Sequence, residues 1–255
     1  MKVEVKMTNN IRLNCDLGES YGNWSMGNDH AIMPLIDMAN IACGFHASDP
    51  LIMDNTVALA KKHQVMIGAH PAYPDLQGFG RRSLSMSKNE LKACITYQVG
   101  ALQAICTTHQ SKVEYVKPHG ALYNDMMKDL ELFETVCQAV SSIDANMQLM
   151  VQSLPDMTPY LSIAKRHNLN LLMEVFADRN YQDSGLLVSR DQTNAVIHDK
   201  QIVVNRLSQL LTEGVLLSES GNQLSLKVDS LCVHGDNLAA VDLVTALAEE
   251  LNARQ

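Results

Sequence analysis

The stretch VMIGAH, residues 65–70, is a short apolar run that ends on a histidine, His70. The same pattern occurs in CGFH, which ends at His46, in VKPH, which ends at His119, and in CVH, which ends at His234. Runs of this length and composition are typical of buried strands. Because the parallel strands of a barrel bring their carboxyl ends to one face, we expect the four histidines to meet there as part of an active site.

Strands and helices are predicted to alternate along the chain. Seven apolar runs, each followed by a segment with helical periodicity, indicate a parallel sheet. Seven units are one fewer than in an eight-stranded (β/α) barrel, and the pattern alone also allows an open, doubly wound sheet. The strands are expected at 11–17, 40–45, 65–69, 112–117, 147–151, 169–176 and 224–234, and the helices near 28–38, 50–63, 88–109, 129–140, 157–167, 199–213 and 237–251.

The chain is expected to form a single domain. No Pro/Ser-rich or low-complexity linker interrupts residues 11–255, which follow a polar N-terminal extension at residues 1–10. Ser48 is predicted to cap the helix at 50–63, and Ser87 with Glu90 to form the capping box of the next helix. The segment 181–197 is less regular and is interpreted as a lid or an irregular excursion.

The composition excludes several classes of protein. The 255 residues include 28 acidic and 20 basic side chains, whereas a nucleic-acid binder presents a basic face to phosphates. No apolar run reaches the roughly 18 residues of a membrane span, and the N-terminus lacks the apolar segment of a secretory signal. The six cysteines include no C-x-x-C pair, which favours free thiols and a reducing cytoplasm.

Carboxylates are predicted to join the histidines at two strand ends. The first strand ends in NCDLGES, residues 14–20, where Asp16 and Glu19 could ligate a metal, act as a general base or orient a lysine or histidine. The alternative is that Asp16 only caps the following turn. In EVFADR, residues 174–179, Glu174 adds a carboxylate and Arg179 could bind an anionic substrate, unless the arginine serves an internal ion pair.

The most specific local motif is KPHG, residues 117–120. Lys117 could polarise a carbonyl, neutralise an oxyanion or form a Schiff base. The alternative is a structural ion pair with Glu174 or Asp16. In QGFGRR, residues 77–82, Arg82 lies in a candidate anion-binding loop, although a solvated turn explains the same pattern.

A metal site is considered and not favoured on the sequence. If a divalent ion is present, Asp16, His46 and His119 are its candidate ligands. A lysine near the same centre would compete with the cation, and no H-x-x-x-H or C-x-x-C spacing supports a ligand set.

Taken together, the motifs resemble the signature segments of the family of the 5-oxoprolinase A subunit, also called the lactam-utilisation family. The resemblance spans about residues 11–250, and Ser48 and Ala72 stand where that family often has glycine. The segments that carry it are NCDLGESYGNW, ANIACGFHASDP, IGAHPAYPDLQGFGRR, VKPHGALYN, EVFADR, AVIHD and CVHGDN.

The resemblance implies a fold and an activity. The fold would be a single-domain, seven-stranded irregular (β/α) barrel similar to the glycoside hydrolase/deacetylase barrels. The activity would be ATP-dependent opening of 5-oxo-L-proline to L-glutamate, in a complex with two further subunits. Since the chain has no G-x-x-x-x-G-K-[ST] motif, ATP would bind at a nonstandard site or on a partner subunit.

The resemblance also suggests roles for the candidate residues. Lys117 and a histidine would stabilise the amide oxygen, while Asp16, Glu19 or Glu174 would activate water. The catalytic candidates are Asp16, Glu19, His46, His70, Lys117, His119, Glu174 and His234, and the substrate-binding candidates are Arg179, Asn14, Arg82 and Asp229.

Two other functions are compatible with the sequence. The chain could be a stand-alone metal-dependent deacetylase or amidohydrolase that uses Asp16 and the histidines. It could also be a noncatalytic subunit that only captures a small carboxylic acid.

Overall fold

The computed structural model describes residues 11–233 and 240–253, and in this part of the chain seven parallel strands form a closed barrel. A separate antiparallel hairpin precedes the last barrel strand. The barrel strands are β1 (Arg12–Leu17), β2 (Met38–Ala42), β3 (Met66–His70), β4 (Tyr115–Val116), β5 (Gln148–Gln152), β6 (Asn170–Phe176) and β9 (Ser230–Val233), and the hairpin consists of β7 (Val215–Leu217) and β8 (Gln223–Ser225).

Helices lie between the barrel strands and bury their apolar sides against the sheet and one another. No helix among the described residues is both long enough and apolar enough to cross a bilayer. The helices are α1 (Asp29–Ile32), α2 (Pro50–His63), α3 (Lys88–Thr108), α4 (Gly120–Met126), α5 (Leu130–Ile143), α6 (Thr158–Arg166), α7 (Lys200–Glu213) and α8 (Ala240–Asn252), with a 3-10 turn at Met33–Leu35.

The sheet closes because β1 pairs along both of its edges. Asn14 is in register with Met38 of β2, and Cys15 is in register with Val233 of β9. The seven-stranded (β/α) barrel expected from the sequence is therefore confirmed, and the open doubly wound sheet is wrong. A closed sheet leaves no barrel strand with an unpaired edge.

The strands place two kinds of side chain inside the barrel. Side chains of a strand alternate between its two faces, and every second residue here points inward. Towards the amino ends, Met38, Tyr115, Met150 and Leu172 form a small buried cluster separate from the main core, which we call the plug. Two residues further along the same strands stand Asn40, Lys117, Gln152 and Glu174, all buried and polar. The barrel is thus apolar at one end and polar at the other.

The plug packs tightly against the backbone of β3. A Cβ atom added to Gly68 would lie 2.1 Å from Cζ of Tyr115, so only glycine leaves room for the ring. Tyr115 is completely buried. The amino end of the barrel is therefore closed by side-chain packing.

Two predicted elements are wrong. The helix expected near 28–38 is only a short helix and a 3-10 turn, because Pro34 interrupts it and Met38 already pairs in β2. A short, fully buried apolar run has the same sequence pattern whether it forms a strand or a helix. The single strand expected at 224–234 is divided, since Asp229 donates its N–H to Met173 O at 2.8 Å and separates β8 from β9.

The helix caps and the cysteines add detail to the predictions. The capping box of Ser87 and Glu90 is confirmed. The cap of α2 is Asp49 instead of Ser48, because its Oδ1 accepts the N–H of Leu51 at 2.9 Å. Helix α4 is absent from the predicted elements. The six cysteines are all buried free thiols.

Candidate active site

A cavity of about 440 Å³ opens at the carboxyl ends of the barrel strands. Its walls include strand ends, the loop at 79–81 and the irregular segment at 186–191, as expected for the active-site face of a (β/α) barrel. Of the predicted candidates, Asp16, Glu19, His70, Lys117, His119 and Arg179 line it, together with Tyr123, Gln152 and the cationic Arg81, Lys128 and Arg190.

Lys117 lies at the floor of the cavity and is held by acceptors from three strands. Its Nζ donates to Asp16 Oδ1 at 3.1 Å and forms an ion pair with Glu174 Oε1 at 2.8 Å. It also lies 3.2 Å from both Asn14 Oδ1 and Cys232 Sγ. An ammonium has three hydrogens to give, so these acceptors fix its position. We call Lys117, Asp16 and Glu174 the lysine cluster.

The lysine cluster keeps its cation charged. Burial by itself would lower the pKa of Lys117, but the charges of Asp16 and Glu174 outweigh burial and hold the pKa well above its ordinary value. A Schiff base needs an uncharged amine. This environment therefore favours electrostatic stabilisation over the Schiff-base alternative.

A hydrogen-bond network under the lysine cluster orients Asp16. Asn40 Nδ2 donates to Asp16 Oδ1 and to Asn14 Oδ1, both at 2.8 Å. Tyr115 OH donates to Asn40 Oδ1 at 2.7 Å, and Asn14 Nδ2 donates to Ser230 Oγ at 2.7 Å. Because Asn40 and the lysine both bind Oδ1, the rotation of the Asp16 carboxylate is fixed.

Tyr123 binds the second carboxylate oxygen of Glu174. Its hydroxyl donates to Glu174 Oε2 at 2.7 Å, while Lys117 binds the other oxygen. Burial, followed by the charge of Glu174, raises the pKa of Tyr123 well above its ordinary value. Tyr123 is therefore a hydrogen-bond donor to a carboxylate that is completely buried.

His46, His70 and His119 meet beside Glu19, and we call these four residues the histidine cluster. The rings of His46 and His119 stack with centroids 3.7 Å apart, and His70 meets His119 edge-on at 4.8 Å. His46 Nε2 lies 3.2 Å from Glu19 Oε1, and His119 Nδ1 lies 2.9 Å from His70 Nε2. One ligand atom of each residue lies within 4.8 Å of the others, close enough to hold a metal ion.

Burial disfavours protonation of two of these rings. It lowers the pKa of His46 well below the ordinary value, and the neighbouring charge of His70 adds to the effect. It also lowers the pKa of His119, with contributions from His46 and His70. A neutral imidazole can accept a proton or bind a metal ion.

The loop that contains QGFGRR supports the histidine cluster. Phe79 has a φ of 53°, uncommon for a non-glycine residue, and its carbonyl oxygen lies 2.9 Å from His119 Nε2. A Cβ on Gly80 would lie 2.8 Å from both His46 Cβ and His119 Cδ2. The glycine is therefore required for this loop to approach the rings.

Comparison with known proteins identifies the family. Residues 11–255 match the sequence profile of the LamB/YcsF family. This chain belongs to that family. The A subunit of 5-oxoprolinase from Vibrio cholerae is 52% identical over 242 residues, 95% of this chain and 98% of the relative. The corresponding A subunit from Chromohalobacter salexigens is 50% identical, over 93% of this chain and 95% of the relative.

A solved structure agrees with this assignment. The crystal structure of a lactam utilization protein from Thermus thermophilus superposes with a TM-score of 0.87 at 37% identity, over 96% of each chain. The family predicted from the sequence motifs is thus confirmed.

Two predicted site residues of the LamB/YcsF chain, Arg82 and Asp229, are not brought to the cavity. The Arg82 side chain is 61% exposed and pairs with Asp75. Asp229 lies before β9, at the amino end of the barrel, where its Oδ2 accepts the N–H of Met173 at 2.9 Å. His234 lies outside the described residues.

Three more candidates lie just behind the cavity wall. His46, Glu174 and Asn14 are at most 1% exposed, and each contacts a side chain that lines the cavity. The structure therefore places them where they can position other groups.

Arg179 lies in the cavity wall, but two of its nitrogens bind the segment that follows it. Nε donates to Ala195 O at 3.1 Å and Nη2 donates to Val188 O at 2.7 Å. Burial, with the nearby charge of Arg190, lowers the pKa of Arg179 to about 10. This arginine therefore organises the wall of the cavity.

Sequence reasoning missed Asn40, Tyr123 and Arg81. Asn40 could have been found from the two-residue alternation of β2, which places it on the same side as Met38. Arg81 directly precedes the predicted Arg82, and nothing local distinguishes the two. Tyr123 is in the unpredicted helix α4, directly after the KPHG motif.

Proposed function

We propose that this chain is the subunit of an ATP-dependent 5-oxoprolinase in which 5-oxo-L-proline is bound and opened to L-glutamate. The observation that carries the proposal is the lysine cluster at the floor of a cavity of about 440 Å³. Relatives about half identical over nearly the whole chain are named as 5-oxoprolinase A subunits, which supports this choice of substrate.

The cavity suits a small cyclic amide that carries a carboxylate. Its volume is within the range of roughly 300–1,000 Å³ that is usual for small-molecule sites. Arg81, Lys128 and Arg190 contribute positive charge to its walls. A guanidinium can bind a carboxylate through two parallel hydrogen bonds, so we assign the substrate carboxylate to this cationic side and the lactam ring to the floor.

The reaction needs an activated amide. A lactam is a poor electrophile, and phosphorylation of its oxygen by ATP would make the ring carbon open to attack by water. Water then adds to this carbon and the ring C–N bond breaks, so that the ring nitrogen becomes the amine and the phosphoryl group remains on the new carboxyl as an acyl phosphate. A second water hydrolyses this acyl phosphate to glutamate and inorganic phosphate. The chain's own residues must therefore stabilise charge on the oxygen and remove a proton from water.

Asp16 is the carboxylate we assign as general base. It lines the cavity, and Asn40 and Lys117 hold its Oδ1, which directs Oδ2 towards His70 Nε2 at 3.4 Å. Lys117, also in the lining, supplies positive charge to the oxygen. Glu174 is completely buried and bound on both oxygens, so we assign it as a positioning residue for the lysine.

The proposal includes partner subunits and ATP. The relatives are named as one lettered subunit of 5-oxoprolinase, which supports a multi-subunit assembly, and we propose that it contains two further subunits. We place ATP on a partner, because this sequence has no P-loop and the cavity is at the small end of the usual range.

The test is an assay of glutamate release from 5-oxoproline and ATP, with and without the partner subunits. The chain alone should show little turnover, and addition of the partners should restore it. In the assembly, Lys117→Met should lower the rate by about 100- to 1,000-fold, the usual effect of losing one oriented charge donor. Asp16→Asn should lower it by a similar factor.

The matched control is Lys88→Gln, which removes an exposed lysine that pairs with Glu131. This variant should keep the full rate. Normal turnover by Lys117→Met and Asp16→Asn would refute the site assignment. Normal turnover together with retained substrate binding would favour a noncatalytic capture role.

The histidine cluster also supports a second candidate, a stand-alone metal-dependent amidohydrolase. That enzyme would cleave an amide without ATP and without partners, and its activity would disappear with a chelator. ATP-independent turnover by the isolated chain would therefore decide in its favour.

A further inference from the structure

Two backbone carbonyls determine where the hydrogens of His70 and His119 lie. His70 Nδ1 is 2.6 Å from Lys117 O, and His119 Nε2 is 2.9 Å from Phe79 O. Because a carbonyl oxygen only accepts, each of these nitrogens carries a hydrogen. The other two nitrogens, His70 Nε2 and His119 Nδ1, face each other at 2.9 Å. Two lone pairs at this distance repel each other unless a cation, either a proton or a metal ion, is shared between them.

Carboxylates lie beside both of these nitrogens. Glu19 Oε1 is 3.6 Å from His119 Nδ1, and Asp16 Oδ2 is 3.4 Å from His70 Nε2. Two imidazole nitrogens and one carboxylate form a common ligand set of catalytic zinc and of non-haem iron(II), which keeps positions open for water or substrate. Glu19, His70 and His119 all line the cavity, so the open positions would face it.

The distance between the two nitrogens also fits. Metal–nitrogen bonds of about 2.0–2.1 Å that meet at about 90° place the nitrogens roughly 2.9 Å apart. The observed separation is 2.9 Å. The separation is therefore that of two adjacent ligands of a five- or six-coordinate ion, whereas a tetrahedral ion would require about 3.3 Å.

His46 fits a supporting position. Its ring is stacked on His119 with planes 5° apart, so an ion in the plane of one ring lies outside the plane of the other. Its Nε2 lies 3.2 Å from Glu19 Oε1 and can donate to that oxygen. Backbone carbonyl oxygens orient the rings of His70 and His119, and in the same way His46 orients the carboxylate of Glu19. Metal ligands in proteins are usually held by such outer partners.

We propose that His70, His119 and Glu19 bind one divalent transition-metal ion at the floor of the cavity, with His46 as a positioning residue. This ligand set differs from the sequence expectation of Asp16, His46 and His119. The proposal goes beyond the ring-opening reaction and does not depend on it, because metal binding is measured without turnover.

The charge of Lys117 does not prevent this binding. Its ammonium contacts Oδ1 of Asp16, and the other oxygen of that carboxylate faces the histidines. Glu19 beside His119, and Glu174 behind the cavity wall, bring the carboxylates of these two clusters to three, against the one ammonium of Lys117. The excess of negative charge favours a cation.

The experiment strips the 255-residue chain with a chelator and titrates it separately with Co²⁺, Zn²⁺ and Mn²⁺. Metal content after dialysis should reach one ion per chain for at least one of them, and Co²⁺ should give visible ligand-field bands. His119→Ala should abolish this binding, and Glu19→Gln should weaken it by at least about 10-fold. His46→Gln should weaken binding by about 10- to 100-fold and shift the Co²⁺ bands, as expected for an outer partner.

The matched control is His109→Gln, because His109 also faces a carboxylate, Asp54, at 2.8 Å but lies outside the cluster. This variant should bind the ion like the parent chain. Far-UV circular dichroism of Glu19→Gln, a substitution of one atom, separates loss of the site from loss of the fold. The proposal is overturned if none of the three ions binds, or if binding survives both His119→Ala and Glu19→Gln. No binding would leave a shared proton as the cation between the rings.

Discussion

At the scale of single residues, the acceptor determines how much a buried tyrosine hydroxyl contributes. Tyr123 OH donates to the carboxylate of Glu174 at 2.7 Å, whereas Tyr160 OH donates to the neutral carbonyl of Met127 at the same distance. Hydrogen bonds to charged groups contribute about 1.5–3 kcal/mol and neutral ones about 0.5–1.5 kcal/mol. We expect Tyr123→Phe to lower the free energy of unfolding more than Tyr160→Phe. Urea unfolding measures both losses, and equal losses would contradict the stronger hydrogen bond between Tyr123 and Glu174.

At the scale of elements, the loop between β3 and α3 contains an acid-sensitive ion pair. Arg82 Nε donates to Asp75 Oδ1 at 2.9 Å, and this bond, together with the N–H of Gly78, lowers the pKa of Asp75 in the folded chain. A carboxyl with a depressed folded pKa stabilises the fold above its unfolded pKa of about 4. That contribution disappears as the pH falls through the folded pKa.

Asp75→Asn should therefore destabilise the chain at neutral pH and have little effect in acid. Urea unfolding over a pH series checks this expectation. Arg82→Gln should reproduce the same pH profile, and the double variant should add little to either single loss. A loss that is equal at all pH values would contradict the ion pair. Arg82→Gln should also leave KM for the proposed substrate, 5-oxoproline, unchanged, because Arg82 is outside the cavity lining.

At the scale of the whole molecule, the plug joins the two sides of the barrel. Gly68→Ala would push a methyl group into the Tyr115 ring, and overpacking of this kind costs about 1–3 kcal/mol or more. We expect far-UV and near-UV circular dichroism to report one shared transition, shifted to lower urea, since the closed sheet cannot lose one strand alone. Gly100→Ala in α3 is the control: its added Cβ meets nothing within 4 Å, and stability should rise by about 0.5–1 kcal/mol. Separate transitions would mean that the barrel unfolds in parts.

The sequence predicts those parts of the molecule in which local pattern and final position agree. The strand ends are visible as apolar runs that finish on Asp16, His70 or Lys117, and closure of the sheet brings them together. Residues whose role depends on contacts with distant parts of the chain cannot be predicted from local sequence patterns. Arg82 and Arg81 are neighbours in the chain, but Arg82 pairs with Asp75 whereas Arg81 lines the cavity. The division of residues 224–234 depends on a hydrogen bond from Asp229 to a different strand, which no local signal contains.

The plug also determines how ligands enter and leave the cavity. Because Met38, Tyr115, Met150 and Leu172 close the amino end of the barrel, the part of the chain that the structure describes leaves the carboxyl-end opening as the route into and out of the cavity. A substrate and its product must use the same opening, so a bound product prevents the next substrate molecule from binding until the product dissociates. A partner that covered this opening would therefore control both entry and exit with one movement.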